Sequence, residues 1–103
     1  MAFALEYQAF GNLSANGQTA EVLPGLVNSN PQGPPETSLQ VVFAAGASGS
    51  VDVQARLDPT LAWTVIESAV TANKIIRVGP VYGVRLSLSG YSGSGNIGGG
   101  VLA

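Results

Sequence analysis

The chain has 103 residues, one domain by the usual size range, with six acidic and four basic residues, a net charge of −2, and neither cysteine nor histidine. These figures exclude a disulfide framework, thiolate or imidazole chemistry, and the basic stripe that binds nucleic acid. Charged residues make up 10 % of the chain, against about 25 % in ordinary soluble domains, and 46 % of residues are hydrophobic, a balance that suits a protein held against other protein surfaces.

Along the chain the dominant signal is alternation with a period of two, the mark of half-buried strands. Residues 2–8 alternate Phe3, Leu5 and Tyr7 with Ala4, Glu6 and Gln8, and predict a first strand. Residues 11–18 are rich in turn formers. Residues 19–27 predict a weaker strand, broken by Pro24-Gly25. Pro31, Pro34 and Pro35 stiffen a loop over 28–37. Residues 38–45 then read as a largely apolar strand with Val41 and Phe43 inward.

The stretch 49–91 organises the rest. Val51, Val53, Ala55 and Leu57 fall on one face, and Asp52, Gln54 and Arg56 on the other. Residues 62–68 form a strand around Trp63, read as a core residue packed on the facing sheet. A further strand surrounds residues 75–78. Val84, Leu86 and Leu88 point inward, while Arg85, Ser87 and Ser89 point outward. Residues 92–103 read as a glycine-rich arm, with 101–103 in a last short strand. The one candidate helical turn lies at 57–62, with Asp58 as cap and Pro59 in the first turn. The expected fold is all-β: one antiparallel β-sandwich or jelly roll of seven to eight short strands covering residues 1–103.

Motifs for chemistry are few. Residues 93–98 match G-x-G-x-x-G, but a dinucleotide site needs a strand before it and a helix after it, so a flexible hairpin or terminal arm is expected. Residues 31–34 match P-x-x-P without basic flanks and read as a stiff loop. Asp52, Asp58 and Glu67 lack the calcium-loop pattern and read as solvated surface charges near Arg56. With no triad, phosphate loop or nucleophile elbow, no catalytic, cofactor or metal site is expected, and the chain reads as a non-enzyme. No apolar run reaches the ~18 residues of a membrane span, and the first ten residues lack an export signal. Tyr82 and Tyr91 border loops and read as structural tyrosines, or else as interface anchors or sugar-stacking rings.

Val51, Val53, Leu57, Asp58 and Trp63, followed by Tyr82, Val84, Arg85, Leu86, Leu88, Tyr91, Ser92 and Gly93, give the chain its nearest likeness. This C-terminal half resembles small virion proteins of tailed bacteriophages. There a V-x-V-x-x-x-L-D strand precedes a tryptophan strand, and a later Y-x-x-V-R-L-x-L-x-x-Y-S-G strand leads into a glycine-rich ending. Asp58-Pro59 stands where such segments often carry Asp-Gly. The resemblance implies a capsid decoration, or cement, protein on the virion exterior, usually a homotrimer seated where major capsid subunits meet. The interface residues expected under it are Phe3, Leu5, Pro31, Pro34, Pro35, Arg56, Arg77, Tyr82, Arg85 and Tyr91. The arginines would face acidic shell surface, and the apolar termini would add strands to neighbours. A carbohydrate-binding module stacking sugars on Trp63, Tyr82 or Tyr91, or a tail or baseplate component, is the alternative.

Overall fold

The computed structural model describes residues 7–24 and 37–102. Eight strands follow in chain order: β1 (Tyr7–Ala9), β2 (Gly17–Gln18), β3 (Thr37–Phe43), β4 (Ala47–Arg56), β5 (Thr64–Val70), β6 (Lys74–Val78), β7 (Gly83–Gly93) and β8 (Ile97–Leu102). They form two four-stranded sheets, sheet A in the order β1-β8-β3-β6 and sheet B in the order β2-β7-β4-β5, with every pairing antiparallel. Most connections cross from one sheet to the other. Eight strands wound in this order are a jelly roll, so the expected all-β sandwich is the fold observed.

The core lies between the sheets, where alternation places it. Leu39 and Val41 of β3, Val51, Val53 and Ala55 of β4, Val84, Leu86 and Leu88 of β7, and Ile97 and Val101 of β8 are buried. Each such side chain contributes roughly 1.5–3 kcal/mol when taken fully out of water. Phe43 is half-buried against this cluster. Thr19, buried, extends the pairing of β2 with β7: its amide donates to Leu86 O, and its hydroxyl accepts from Leu86 N.

Several expectations need correction. Leu57 does not continue the inward face of β4. The strand ends at Arg56 and Leu57 is 69 % exposed, because the chain turns at Asp58. There the Thr60 amide and hydroxyl both donate to Asp58 Oδ1, at 2.9 and 2.6 Å, and Leu61 N donates to Asp58 O. Asp58 therefore caps a turn, as expected, but no helix follows it. Of the strand read at 19–27, residues 25–27 lie outside the described residues; the described part joins the sheet only through Thr19's bonds to Leu86 and a bridge from Val22 to Val84, after the two-residue strand Gly17–Gln18. Of the strand read at 2–8, the described part is β1.

The largest correction concerns the glycine-rich ending. It is not an arm. A short turn carries the chain from β7 in sheet B to β8 in sheet A, and β8 is an interior strand of sheet A, flanked by β1 and β3. Val101, read as part of an exposed terminus, is fully buried. Glycines do this work by letting neighbours come close. A Cβ at Gly100 would fall on the Tyr7 ring, and one at Gly98 on Asn12 and the Gly11 carbonyl. Tyr7 and the chain after β1 thus lie across the outside of β8. Tyr91, half-buried, pins the turn between β7 and β8, its hydroxyl donating to Gly95 O at 2.6 Å.

Candidate functional site

The two outer faces of the sandwich differ in chemistry. On sheet B the outward phase carries Ser50, Asp52, Gln54 and Arg56 from β4, and Arg85, Ser87 and Ser89 from β7. These residues give a polar face. Here Gln54 lies opposite Arg85, and Arg85 Nε donates to Gln54 Oε1 at 2.6 Å. Arg56 makes a two-pronged pair with Glu21, Nε to Oε2 at 3.0 Å and Nη2 to Oε1 at 2.7 Å, while its Nη1 donates to Pro59 O. The hydrogen bond to Glu21 is the chief reason that the Arg56 guanidinium holds its proton above the ordinary range. Glu21 can reach it only because residue 83 has no side chain: a Cβ at Gly83 would overlap the Glu21 carboxylate.

Trp63 is not a core residue. It sits half-buried where the chain returns from the Asp58 turn, with its ring 4.5 Å from the Arg56 guanidinium carbon and 4.4 Å from that of Arg85. Tyr82 stands 6.0 Å from the same Arg56 carbon, and its amide donates to Arg56 O. Cationic groups stack on aromatic faces because the ring quadrupole is negative there. The tryptophan is therefore held outside the sandwich by the two arginines and is not packed on the facing sheet as expected. Arg56, Arg85 and Tyr82, three of the expected interface residues, come together in this cluster. Glu21 belongs to it, and nothing in the local sequence around Glu21 marks it.

Beside the cluster, where β4 ends and β5 begins, an apolar cleft of about 520 Å³ is lined by Leu57, Leu61, Ala62 and Ile66 above Ala55 and Arg56. Leu57, Leu61 and Ile66 are all exposed. The neighbouring carboxylates have other work. Asp52 accepts the amide of Ala69, and Glu67 pairs with Lys74. The Asp58 carboxyl is held below the usual carboxylate range, first by the Thr60 hydroxyl and then by its amide. Among the described residues no three His, Cys, Asp or Glu side chains gather as metal ligands would.

The outer face of sheet A is drier. Its outward positions are Tyr7 and Ala9 on β1, Gly98, Gly100 and Leu102 on β8, Ser38, Gln40 and Val42 on β3, and Ile75 and Arg77 on β6, so that among the described residues Arg77 is its one charged residue. Tyr7 is 64 % and Ile75 67 % exposed, with a shallow groove of about 250 Å³ between them over Gly100 and Leu102. Arg77 thus lies on the opposite sheet from Arg56 and Arg85, and Tyr91 sits apart from both groups near the end of β7. Phe3, Leu5, Pro31, Pro34 and Pro35 lie outside the described residues.

The sequence reading missed Tyr7, Ile75, Leu57 and Leu61 as exposed apolar groups. One signal was present: glycine at 98 and 100, every second residue of a strand, leaves one face bare for an aromatic ring to cover. A scan of protein-family models, a search of curated proteins and a search of solved structures each found no match to this chain.

Proposed function

We propose that the chain is a non-enzymatic virion structural protein that decorates a bacteriophage capsid at the junctions of major capsid subunits, acting as a homotrimer. The observation that carries this reading is a pair of exposed apolar surfaces on one small, charge-poor jelly roll. One is the outer face of sheet A, around Tyr7, Ile75 and Leu102. The other is the cleft of Leu57, Leu61 and Ile66. A cement protein needs two such surfaces, one for its own copies and one for the shell. The polar face of sheet B is left for solvent. The resemblance of the C-terminal half to small phage virion proteins supports the same reading; the fold alone does not, since jelly rolls serve many functions.

The mechanism is thermodynamic. A protein that binds only the assembled lattice shifts the assembly equilibrium toward it, and several copies joined together multiply a modest affinity per contact. We assign the shell contact to the Leu57–Leu61–Ile66 cleft, because the Trp63 stack fixes its border and leaves three aliphatic side chains uncovered. Co-sedimentation with shells of the major capsid protein tests this. The wild-type chain pellets with the shells, and Leu57→Ser/Leu61→Ser weakens binding by tenfold or more, about 1.4 kcal/mol, while solution mass stays unchanged. A wild-type chain that stays in the supernatant contradicts the reading.

A second reading has one observation of its own. Tyr7 borders a groove of about 380 Å³ that Asn12 and Asn96 also line, an exposed ring beside amides, as a glycan site has. A glycan array separates the two: a specific hit lost in Tyr7→Ala favours the carbohydrate-binding module.

A further inference from the structure

We infer that Arg85, stacked on Trp63, is a docking point for the carboxylate of an aspartate or glutamate side chain of a partner protein. This goes beyond the shell reading, which leaves the outer face of sheet B to solvent, and it does not depend on that reading.

Two guanidiniums share the Trp63 ring, and their donors are used differently. Arg56, 4.5 Å from the ring centre, gives Nε and Nη2 to the two oxygens of Glu21 and Nη1 to Pro59 O. Arg85, 4.4 Å from the same centre, gives Nε to Gln54 Oε1. Among the described residues nothing accepts from its Nη1 or Nη2, and no carboxylate lies within ion-pair distance of it. The carboxylates on and around this face are engaged elsewhere. Glu21 grips Arg56, Asp52 accepts Ala69 N, Asp58 accepts from Thr60, and Glu67 pairs with Lys74. Of the three arginines expected to meet acidic surface, Arg56 is paired with Glu21 and Arg77 has a partner of its own. Arg85 is the one whose outer donors are unspent.

The position is prepared for an anion. A guanidinium is a rigid fork of N–H donors whose geometry matches a carboxylate, and it binds best when its side chain is already ordered. Gln54 fixes Nε at 2.6 Å, and the tryptophan holds the head of the side chain. Both guanidinium carbons lie within 4.5 Å of one ring centre, so two like charges stand no more than about 9 Å apart, close to the screening length at physiological salt. Within that group only Arg56 has its carboxylate. An anion on Arg85 offsets the remaining repulsion. Arg85 is half-buried, which screens such a pair less than it would a fully exposed one.

The surroundings select a protein over other anions. None of the three clefts described above includes Arg85. A small ligand or a sugar is held in a concavity that covers most of it, whereas a protein brings its own second wall to a flat site. Tryptophan, tyrosine and arginine are the residue types that anchor protein interfaces, and Trp63, Tyr82 and Arg85 stand together around Arg56. A polyanion such as nucleic acid is disfavoured by the net charge of −2.

The test uses a blocked pentapeptide of glycine and serine with one central glutamate, titrated into the isotope-labelled chain and followed by NMR. The Arg85 Nε–Hε and Trp63 indole N–H signals should move and saturate, while the same peptide with glutamine in the centre should move neither. Arg85→Lys keeps the charge and loses the fork, and should weaken binding by about tenfold or more; Arg85→Gln should abolish it. No movement in the wild-type chain overturns the site. So does equal binding by Arg85→Lys, which would mean that charge alone attracts the peptide, or a response that survives Arg85→Gln. Methyl glucuronoside carries the same single carboxylate. If it binds tenfold more tightly than the peptide, the site takes acidic sugars and the protein assignment is overturned.

Discussion

The phenol ring of Tyr7 lies across the main chain of Gly100, in space that any side chain at residue 100 would fill. That relationship joins β1 to the interior strand β8 and gives the outer face of sheet A its only large ring among the described residues. Gly100→Ala should therefore displace Tyr7 and lower stability by about 1–3 kcal/mol, the usual cost of overpacking. Urea unfolding measures it. An unchanged midpoint would mean that the ring does not rest there.

Gly83 plays a comparable part for the arginine cluster. Gly83→Ala pushes Glu21 off the position from which it grips Arg56, and should cost about 1–3 kcal/mol. Most of that cost should vanish in a Glu21→Ala background, since the clash is with the Glu21 side chain. A double-mutant cycle by chemical unfolding reads the coupling, and strict additivity would contradict the geometry.

Trp63 is the only tryptophan, so its fluorescence reports on the stack alone. Removing one guanidinium by Arg85→Ala should shift its emission to the red and cost about 0.5–1 kcal/mol, the range for partly exposed cation–π pairs. An emission maximum that does not move would place the ring elsewhere.

Ala69 holds a left-handed conformation in the second irregularity of β5. Ala69→Gly relieves about 1–2 kcal/mol of strain and loses part of it to chain entropy, a net stabilisation of roughly 0.5–1 kcal/mol. Thermal unfolding should show a higher midpoint for this variant. A lower midpoint would contradict the assigned backbone.

Asp58 sets a pH dependence. Its carboxyl is held below the usual range by Thr60, so the folded state binds this proton less tightly than the unfolded chain does. The stabilisation is complete above the unfolded-state pKa and is lost as pH falls through the lower folded-state value. Thr60→Val removes the hydroxyl donor and should move the Asp58 titration, followed by carboxyl NMR, upward toward the ordinary carboxylate range. No movement would show that the hydroxyl does not bind the carboxylate.

Much of the fold was legible because alternation and turn residues act locally. Val51, Val53 and Ala55, and later Val84, Leu86 and Leu88, are buried as their period demands. What failed depended on contacts between distant segments. Residues 97–102 looked like a loose ending because glycine has weak strand preference, yet they became interior once Tyr7 and the Gly11–Asn12 chain packed over them. Trp63 looked like core because a large ring usually is. Its place outside depends on Arg56 and Arg85, which reach it from two adjacent strands. The candidate site was legible in part, with Arg56, Tyr82 and Arg85 chosen for their chemistry. The exposed aliphatic groups were hidden, since Leu57 shares the phase of core residues until the Asp58 turn removes it from the strand.

The central claim, a self-associating shell protein, is tested most directly by solution mass, using light scattering coupled to size exclusion over a wide dilution range. The account predicts a stable species of about three times the 10.4 kDa chain that persists on dilution, because three-fold lattice sites call for that symmetry. A strict monomer at every concentration would contradict it.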